Sequence, residues 1–246
     1  MCIRDRVEPQ GEFRKEAWDR LSEIAVTIKG DLDRAVVLLE AMYLELGNDH
    51  QEAWKIMFQL GDVYAQLGNQ LKAIEAFEKC LSHAEGSPER IHATQLRMAK
   101  LYRSMGNYDL VAATLENCAD SAKDGNDKGM CLYELAQSYS FISNWNQAKR
   151  ALETLLAIPD VGEETRVLAT FLLADICENE RDYSRARRLL ESIQTTYPNP
   201  KVVEARLLNL PEGDGPGQPM IHPDSPETQA DPEFSDDAMV LPSDAQ

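Results

Sequence analysis

Residues Leu60–Phe77 read LGDVYAQLGNQLKAIEAF and set two glycines, Gly61 and Gly68, inside otherwise helix-forming sequence. A helical glycine costs about 1 kcal/mol relative to alanine, so the pair points to two demands: close packing at Gly61 and a chain reversal at Gly68. Architectural demands recur along a chain, and these do. The run GNQLKA at 68–73 is echoed by GDLDRA at 30–35, GNYDLV at 106–111, SNWNQA at 143–148 and RDYSRA at 181–186. Their last residues, Ala35, Ala73, Val111, Ala148 and Ala186, lie 38, 38, 37 and 38 residues apart, a period that means stacked repeats.

Within each unit one apolar pattern at helical spacing precedes the reversal and a second follows it. Around the opening stretch, Met57, Leu60, Gly61, Tyr64 and Leu67 share a face of the first helix (A), and Ala73, Phe77 and Cys80 share a face of the second (B). Where these faces approach most closely only a small side chain fits, and Ser22, Gly61, Ala99, Ala136 and Ala174 stand there. Gly30, Gly68 and Gly106 occupy the reversal, where a left-handed residue ends a helix cheaply, while Ser143 and Arg181 depart from glycine. Turn-rich connections at 47–50, 85–88, 124–127 and 159–164 join the units.

These residues resemble the tetratricopeptide repeat. Trp18, Leu21 and Ser22 match its W-x-x-L-small opening, with one extra residue in the turn that follows, and Leu60, Gly61, Tyr64, Ala73 and Phe77 match its middle. Met98, Ala99, Tyr102, Val111 and Leu115 repeat the pattern, as do Leu135, Ala136, Tyr139, Ala148 and Leu152; Leu173, Ala174, Cys177, Ala186 and Leu190 form a looser fifth copy. The resemblance runs from about Phe13 to Ile193 and implies an all-α, right-handed superhelical solenoid of antiparallel helix pairs. The units are longer than the usual ~34 residues and mostly lack the closing proline, which bears on pitch rather than on fold.

The segment after Tyr197, NPKVVEARLLNL, opens with Pro200 and carries Val203, Leu207 and Leu208 at helical spacing; it predicts a C-terminal helix capping the last unit. Residues 1–11 are expected to be disordered or artefactual, since MCIRDR resembles a translated sequencing-adapter string, which would leave the true start missing. Residues 12–210 form the expected solenoid with its cap, and 211–246 an acidic disordered tail. That tail has no Lys or Arg and nine carboxylates, which leaves −8 of the net −17 to the rest of the chain. In it, Phe234 and the run Ala238–Leu241 offer apolar anchors for a partner, against the plainer reading of a solubilising extension.

The acidic balance argues against nucleic acid. No apolar run approaches the ~20 residues that span a bilayer, so no membrane span is expected in this fragment, and the cytoplasm is the favoured compartment. Cys2, Cys80, Cys118, Cys131 and Cys177 form no CxxC pair and no Cys/His cluster at metal-ligand spacing. A disulfide framework is not expected, and Cys80 and Cys118, each seven residues after the recurring Ala/Val, read as small packing groups. His50, His83, His92 and His222 are placed in or near loops or the tail, with no hydrolase or phosphate-binding motif around them, so neither catalysis nor a cofactor or metal is predicted.

What the resemblance implies instead is a concave surface lined by the A helices. Asp19, Phe58, Leu96, Tyr133 and Phe171 occupy equivalent places three or four residues off the packing stripe, and Asp62, Lys100, Arg103, Gln137, Ser140, Asp175 and Glu178 are their helical neighbours. Two readings stand: a row packed into neighbouring units as core, or a groove with an apolar ladder for an extended or helical segment of another protein. Arg97, Lys100 and Arg103 would give that groove a basic spot suited to carboxylates. Phe58 and Asp62 do not match the Lys and Asn of the family's carboxylate clamp, so no chaperone-tail site of that type is expected. The expected function is a non-catalytic scaffold or adaptor, with partner and oligomeric state open. The alternatives are a regulatory or sensory module of a larger enzyme or transcription factor, and an envelope-assembly factor whose anchor is missing.

Overall fold

A computed structural model describes Glu16, Arg20 and residues 31–213. The sequence expectations for Trp18, Asp19, Leu21, Ser22 and Gly30, for residues 1–11 and for the tail from 214 onward fall outside those residues. Glu16 and Arg20 are helical and ion-paired one turn apart at 2.6 Å.

The described residues from 31 to 213 are organised as helices joined by tight turns: α1 (Leu32–Leu46), α2 (His50–Gln66), α3 (Gln70–His83), α4 (Pro88–Ser104), α5 (Tyr108–Ser121), α6 (Gly125–Phe141), α7 (Trp145–Leu156), α8 (Glu163–Asn179), α9 (Tyr183–Ile193) and α10 (Pro200–Asn209). The pairs α2/α3, α4/α5, α6/α7 and α8/α9 are the second to fifth units, and α1 is the B helix of the first. In the second to fifth units each B helix packs on its own A helix; α1, α3, α5 and α7 also pack on the A helix that follows, and α9 on α10; α2 touches α4, α4 touches α6 and α6 touches α8. The A helices thus form a continuous layer, and the units share one apolar core running from Ala35 to Ile176. This is the all-α solenoid that the period predicts.

The reversal is built the same way four times. Gly68 N–H donates to the Ala65 carbonyl and Asn69 N–H to the Tyr64 carbonyl, closing α2; the same two bonds recur at Gly106/Asn107, Ser143/Asn144 and Arg181/Asp182. These are Schellman closures. Their last residue serves twice, because Asn69, Asn107 and Asp182 turn their side chains to cap the next helix, accepting from the backbone N–H of Lys72, Leu110 and Arg185. The closure requires positive φ, and Gly68 (73°) and Gly106 (71°) supply it without a steric penalty. Ser143 (57°) and Arg181 (67°) adopt the same angle although they carry a Cβ. The tertiary fit of the pair therefore overrides a local cost of about 1 kcal/mol. Arg181→Gly is accordingly expected to raise stability by about 0.5–1 kcal/mol, read as a higher Tm with unchanged helicity; a lower Tm would show that the Arg181 side chain contributes more than its backbone costs.

Gly61 answers to a different demand, close approach between helices. A Cβ built on it would lie 2.6–2.8 Å from the Phe77 ring. Ala99, Ala136 and Ala174 occupy the equivalent place and are buried, each 0–1 % exposed. Two residues depart from expectation. Leu67 is 39 % exposed because it is the C-cap of α2, where the chain already turns away from the core. Leu208 is 86 % exposed: Val203 and Leu207 lie one turn apart on the packed face of α10, and Leu208 is rotated off it.

The cysteines require a larger correction. Cys118 on α5 and Cys131 on α6 are joined by a disulfide, with their Cα atoms 5.9 Å apart, where the sequence reading expects no disulfide and takes Cys118 as a small packing group. They stand on the facing sides of helices from adjacent units, a proximity created by stacking that no spacing along the chain displays. Cys80 is the buried packing thiol expected, and Cys177 is likewise free and buried.

Candidate functional site: the A-helix face

Phe58, Leu96, Tyr133 and Phe171 lie on α2, α4, α6 and α8, one in each unit, and all four are half-buried. The first three press against the shared core and Phe171 against the smaller cluster of Ala174, Leu190 and Val203. Each side chain therefore has one flank in the core and another at the surface. Phe58 packs between Trp54 (ring centroids 5.1 Å) and the edge of Phe77 (6.0 Å).

The polar residues of the same face are tied up to different degrees. Arg97 lies 5.6 Å over the Phe58 ring and 3.4 Å from the Asp62 carboxylate. Burial pushes the Asp62 carboxyl above its usual range, while the charges of Arg97 and Lys100 act to lower it. Arg103 does not point into open space: its guanidinium reaches across to the next unit and donates to Glu134 Oε2 (2.8 Å), the Glu134 carbonyl (3.2 Å) and Ser138 Oγ (2.8 Å). It fastens α4 to α6. Lys100 is exposed beside Asp62 and Arg97, and these three border a recess of about 470 Å³ between α2 and α4. Gln137 donates to the Tyr133 hydroxyl at 3.1 Å. Burial raises the Tyr133 hydroxyl pKa, an effect that the Gln137 hydrogen bond opposes.

At the C-terminal end of the face the chain covers its own residues. Phe171 stacks on Tyr197 at 4.5 Å, and the Arg206 guanidinium of α10 lies 4.9 Å over the same ring. Arg206 also hydrogen-bonds Asp175 and reaches Glu178 Oε1 at 2.9 Å. Arg187 of α9 donates to the carbonyls of Leu207 and Leu210, holding the end of α10 in place. Sequence reasoning placed Phe171 and Asp175 in the groove but missed Arg206, because its partners lie 28 to 35 residues back on another unit.

Among the described histidines, His92 differs from expectation. His50 and His83 sit at helix ends, but His92 lies inside α4 and is 8 % exposed. Its Nδ1 is 3.4 Å from Cys118 Sγ and 3.3 Å from Cys131 Sγ. A Cys/His cluster therefore exists where linear spacing showed none. By contrast, burial pushes the Cys80 thiol up to about 12 and the Cys177 thiol to about 11. Both thiols are expected to resist alkylation at pH 8 in the folded protein and to react within minutes after unfolding, a difference that mass spectrometry of the labelled peptides measures directly.

Among the described residues, no helix is long and apolar enough to cross a membrane. Residues 55–85, from mid-α2 to just beyond α3, match the family model of the tetratricopeptide repeat. No curated protein sequence matches the chain. Among solved structures, MamA from Desulfovibrio magneticus is similar at 17 % identity, covering 75 % of this chain and 94 % of its own, with a TM-score of 0.54. BtubC from P. vanneervenii matches at 14 % identity over 85 % of this chain and 87 % of its own, with a TM-score of 0.61. The apo form of RapI matches at 14 % identity over 77 % of this chain and 56 % of its own, with a TM-score of 0.64. At such identities what is shared is the fold.

Proposed function

From a chain whose second unit is a tetratricopeptide repeat, and whose fold is the solenoid such repeats build, we propose a protein-binding scaffold without catalytic chemistry. The A-helix face receives an extended or helical segment of another protein. The observation that carries this reading is the half-buried row Phe58, Leu96, Tyr133 and Phe171, set at one equivalent position in four consecutive A helices. A side chain with one flank fixed in the core is pre-ordered, so a partner covering the other flank gains apolar contact at little entropic cost. Beside it, Lys100 and Arg97 border the recess at α2 and α4 and favour a partner that brings a carboxylate to that point.

The half-burial also decides which substitutions are informative. Phe58→Ala removes core contacts as well as surface, so its effect mixes folding with binding. Lys100→Glu removes no core contact; it places a carboxylate near Asp62 at the surface and is expected to lower Tm by no more than about 2–3 °C. With the full chain as immobilised bait, Lys100→Glu should lose at least half of the partner recovered by the wild type. Unchanged recovery with Lys100→Glu, and again with Leu96→Asp in a folded variant, would move the binding surface elsewhere or remove it.

A further inference from the structure

We propose that His92, Cys118 and Cys131 form a zinc-binding site at the junction of the third and fourth units, available when the Cys118–Cys131 disulfide is reduced. The donor set is suited to it. Two thiolates and a neutral imidazole are ligands for tetrahedral Zn²⁺, with water in the fourth position. The two thiolate charges cancel that of the ion, so a neutral unit is buried rather than a charge. Both sulfurs are fully buried, and the three side chains come from three successive helices, α4, α5 and α6.

The spacing is close to what the ion needs. Bond lengths of about 2.3 Å to sulfur and 2.0–2.1 Å to nitrogen put tetrahedral S···N separations at roughly 3.5 Å, against 3.4 and 3.3 Å from His92 Nδ1 to the two sulfurs here. Once the S–S bond is broken, the sulfurs can part by rotation about χ1 on backbones that already hold their Cα atoms 5.9 Å apart. The far side of the imidazole is also provided for. His92 Nε2 lies 3.6 Å from Asp127 Oδ1 at the edge where both residues reach solvent. A carboxylate behind the ring orients a ligating histidine and favours the tautomer with its proton on Nε2, leaving Nδ1 free for the metal.

The repeat itself supplies a control. One unit earlier the same three places hold Trp54, Cys80 and Thr94; one unit later they hold Gly129, Leu155 and Ala169. In the earlier set the Trp54 indole N–H donates to Thr94 Oγ1 and the Cys80 thiol to the Trp54 carbonyl, so polar atoms there are consumed by packing. Among the described residues, His92, Cys118 and Cys131 are the group of three metal-ligating side chains whose donor atoms converge within 4.8 Å.

The chemistry balances in two steps. A low-molecular-weight dithiol gives two electrons and two protons to the disulfide, yielding two cysteine thiols and its own disulfide. Zn²⁺ then displaces one proton from each thiol, releasing two protons to solvent and leaving two Zn–S bonds and one Zn–N bond.

The test uses the full chain with Cys2→Ser, reduced with a phosphine under anaerobic conditions. Zn²⁺ is titrated against a chromophoric chelator, with Co²⁺ as the spectroscopic stand-in. One equivalent of Zn²⁺ is expected, together with thiolate-to-cobalt charge-transfer absorption and a Tm raised by about 5 °C or more at saturating metal. The unreduced protein should show none of these. Cys118→Ala and Cys131→Ala should abolish the charge-transfer signal and Cys80→Ala should not, with helicity checked for each. Asp127→Asn, at the surface, should weaken Zn²⁺ binding by about 10-fold, which keeps the histidine's role testable if His92→Phe does not fold. Absence of stoichiometric binding by the reduced protein, or retention of the signal when both Cys118 and Cys131 are replaced, overturns the proposal.

Discussion

Gly61→Ala is expected to destabilise the protein by about 1–2 kcal/mol although alanine is the better helix former, and Phe77→Ala by about 3–5 kcal/mol. Combining Gly61→Ala with Phe77→Leu should recover most of the wild-type stability. The reason lies in the comparison of units. The second pairs Gly61 with Phe77, whereas the third, fourth and fifth pair Ala99 with Leu115, Ala136 with Leu152 and Ala174 with Leu190, all of them buried. The pairs hold a similar volume, divided differently between the two helices. A Cβ at Gly61 strikes an aromatic ring that is 1 % exposed and held on its edge by Phe58, so the ring has nowhere to retreat. Leucine in place of Phe77 vacates that volume. The measurement is a double-mutant cycle in chemical denaturation, with a coupling of about 2–3 kcal/mol. Additive effects would mean that α2 and α3 shift apart freely and that Gly61 answers to something other than helix approach.

The second large effect is expected at Arg206. Its guanidinium is the cation that Asp175 and Glu178 share, and it covers the Phe171 ring. Glu178 is 5 % exposed, so removing the cation from beside it carries the cost of a buried ion pair broken on one side. Arg206→Ala should cost about 3 kcal/mol and act locally: amide exchange in α10 should accelerate by at least 10-fold while that in α4 to α6 changes little. With α10 released, Val203 leaves Ala174 and Leu190, and the apolar end of the solenoid opens. Arg206→Lys should fall between, since an ammonium keeps the charge but not the planar fork or its stacking on the ring. Exchange rates in α10 that match the wild type would show that the apolar contacts of Val203 and Leu207 and the Arg187 hydrogen bonds hold the helix without Arg206.

Much of the fold was legible because its determinants are local. The reversal and the apolar stripe of each helix depend on neighbours within about two turns, the small residue at the closest approach answers to the partner helix of the same pair, and five copies averaged out individual departures such as Ser143 and Arg181. The A-helix face was legible in part. Phe58, Leu96, Tyr133 and Phe171 could be placed on one stripe, but whether each was core or surface could not be read from periodicity, since a residue at the edge of the stripe is half of each. Arg103 read as a free cation because its partners, Glu134 and Ser138, belong to the following unit.

By itself, then, the order of residues determined a helical solenoid of paired helices with a 37–38 residue period, together with the places where only a small side chain fits. Tertiary structure alone decided the Cys118–Cys131 bond beside His92, the fastening of α4 to α6 by Arg103 and the closure of the last unit by Arg206. Each of these joins side chains 13 to 39 positions apart on different helices. Helical periodicity fixes which face a residue occupies, but only the stacking of one unit on the next fixes what that face meets.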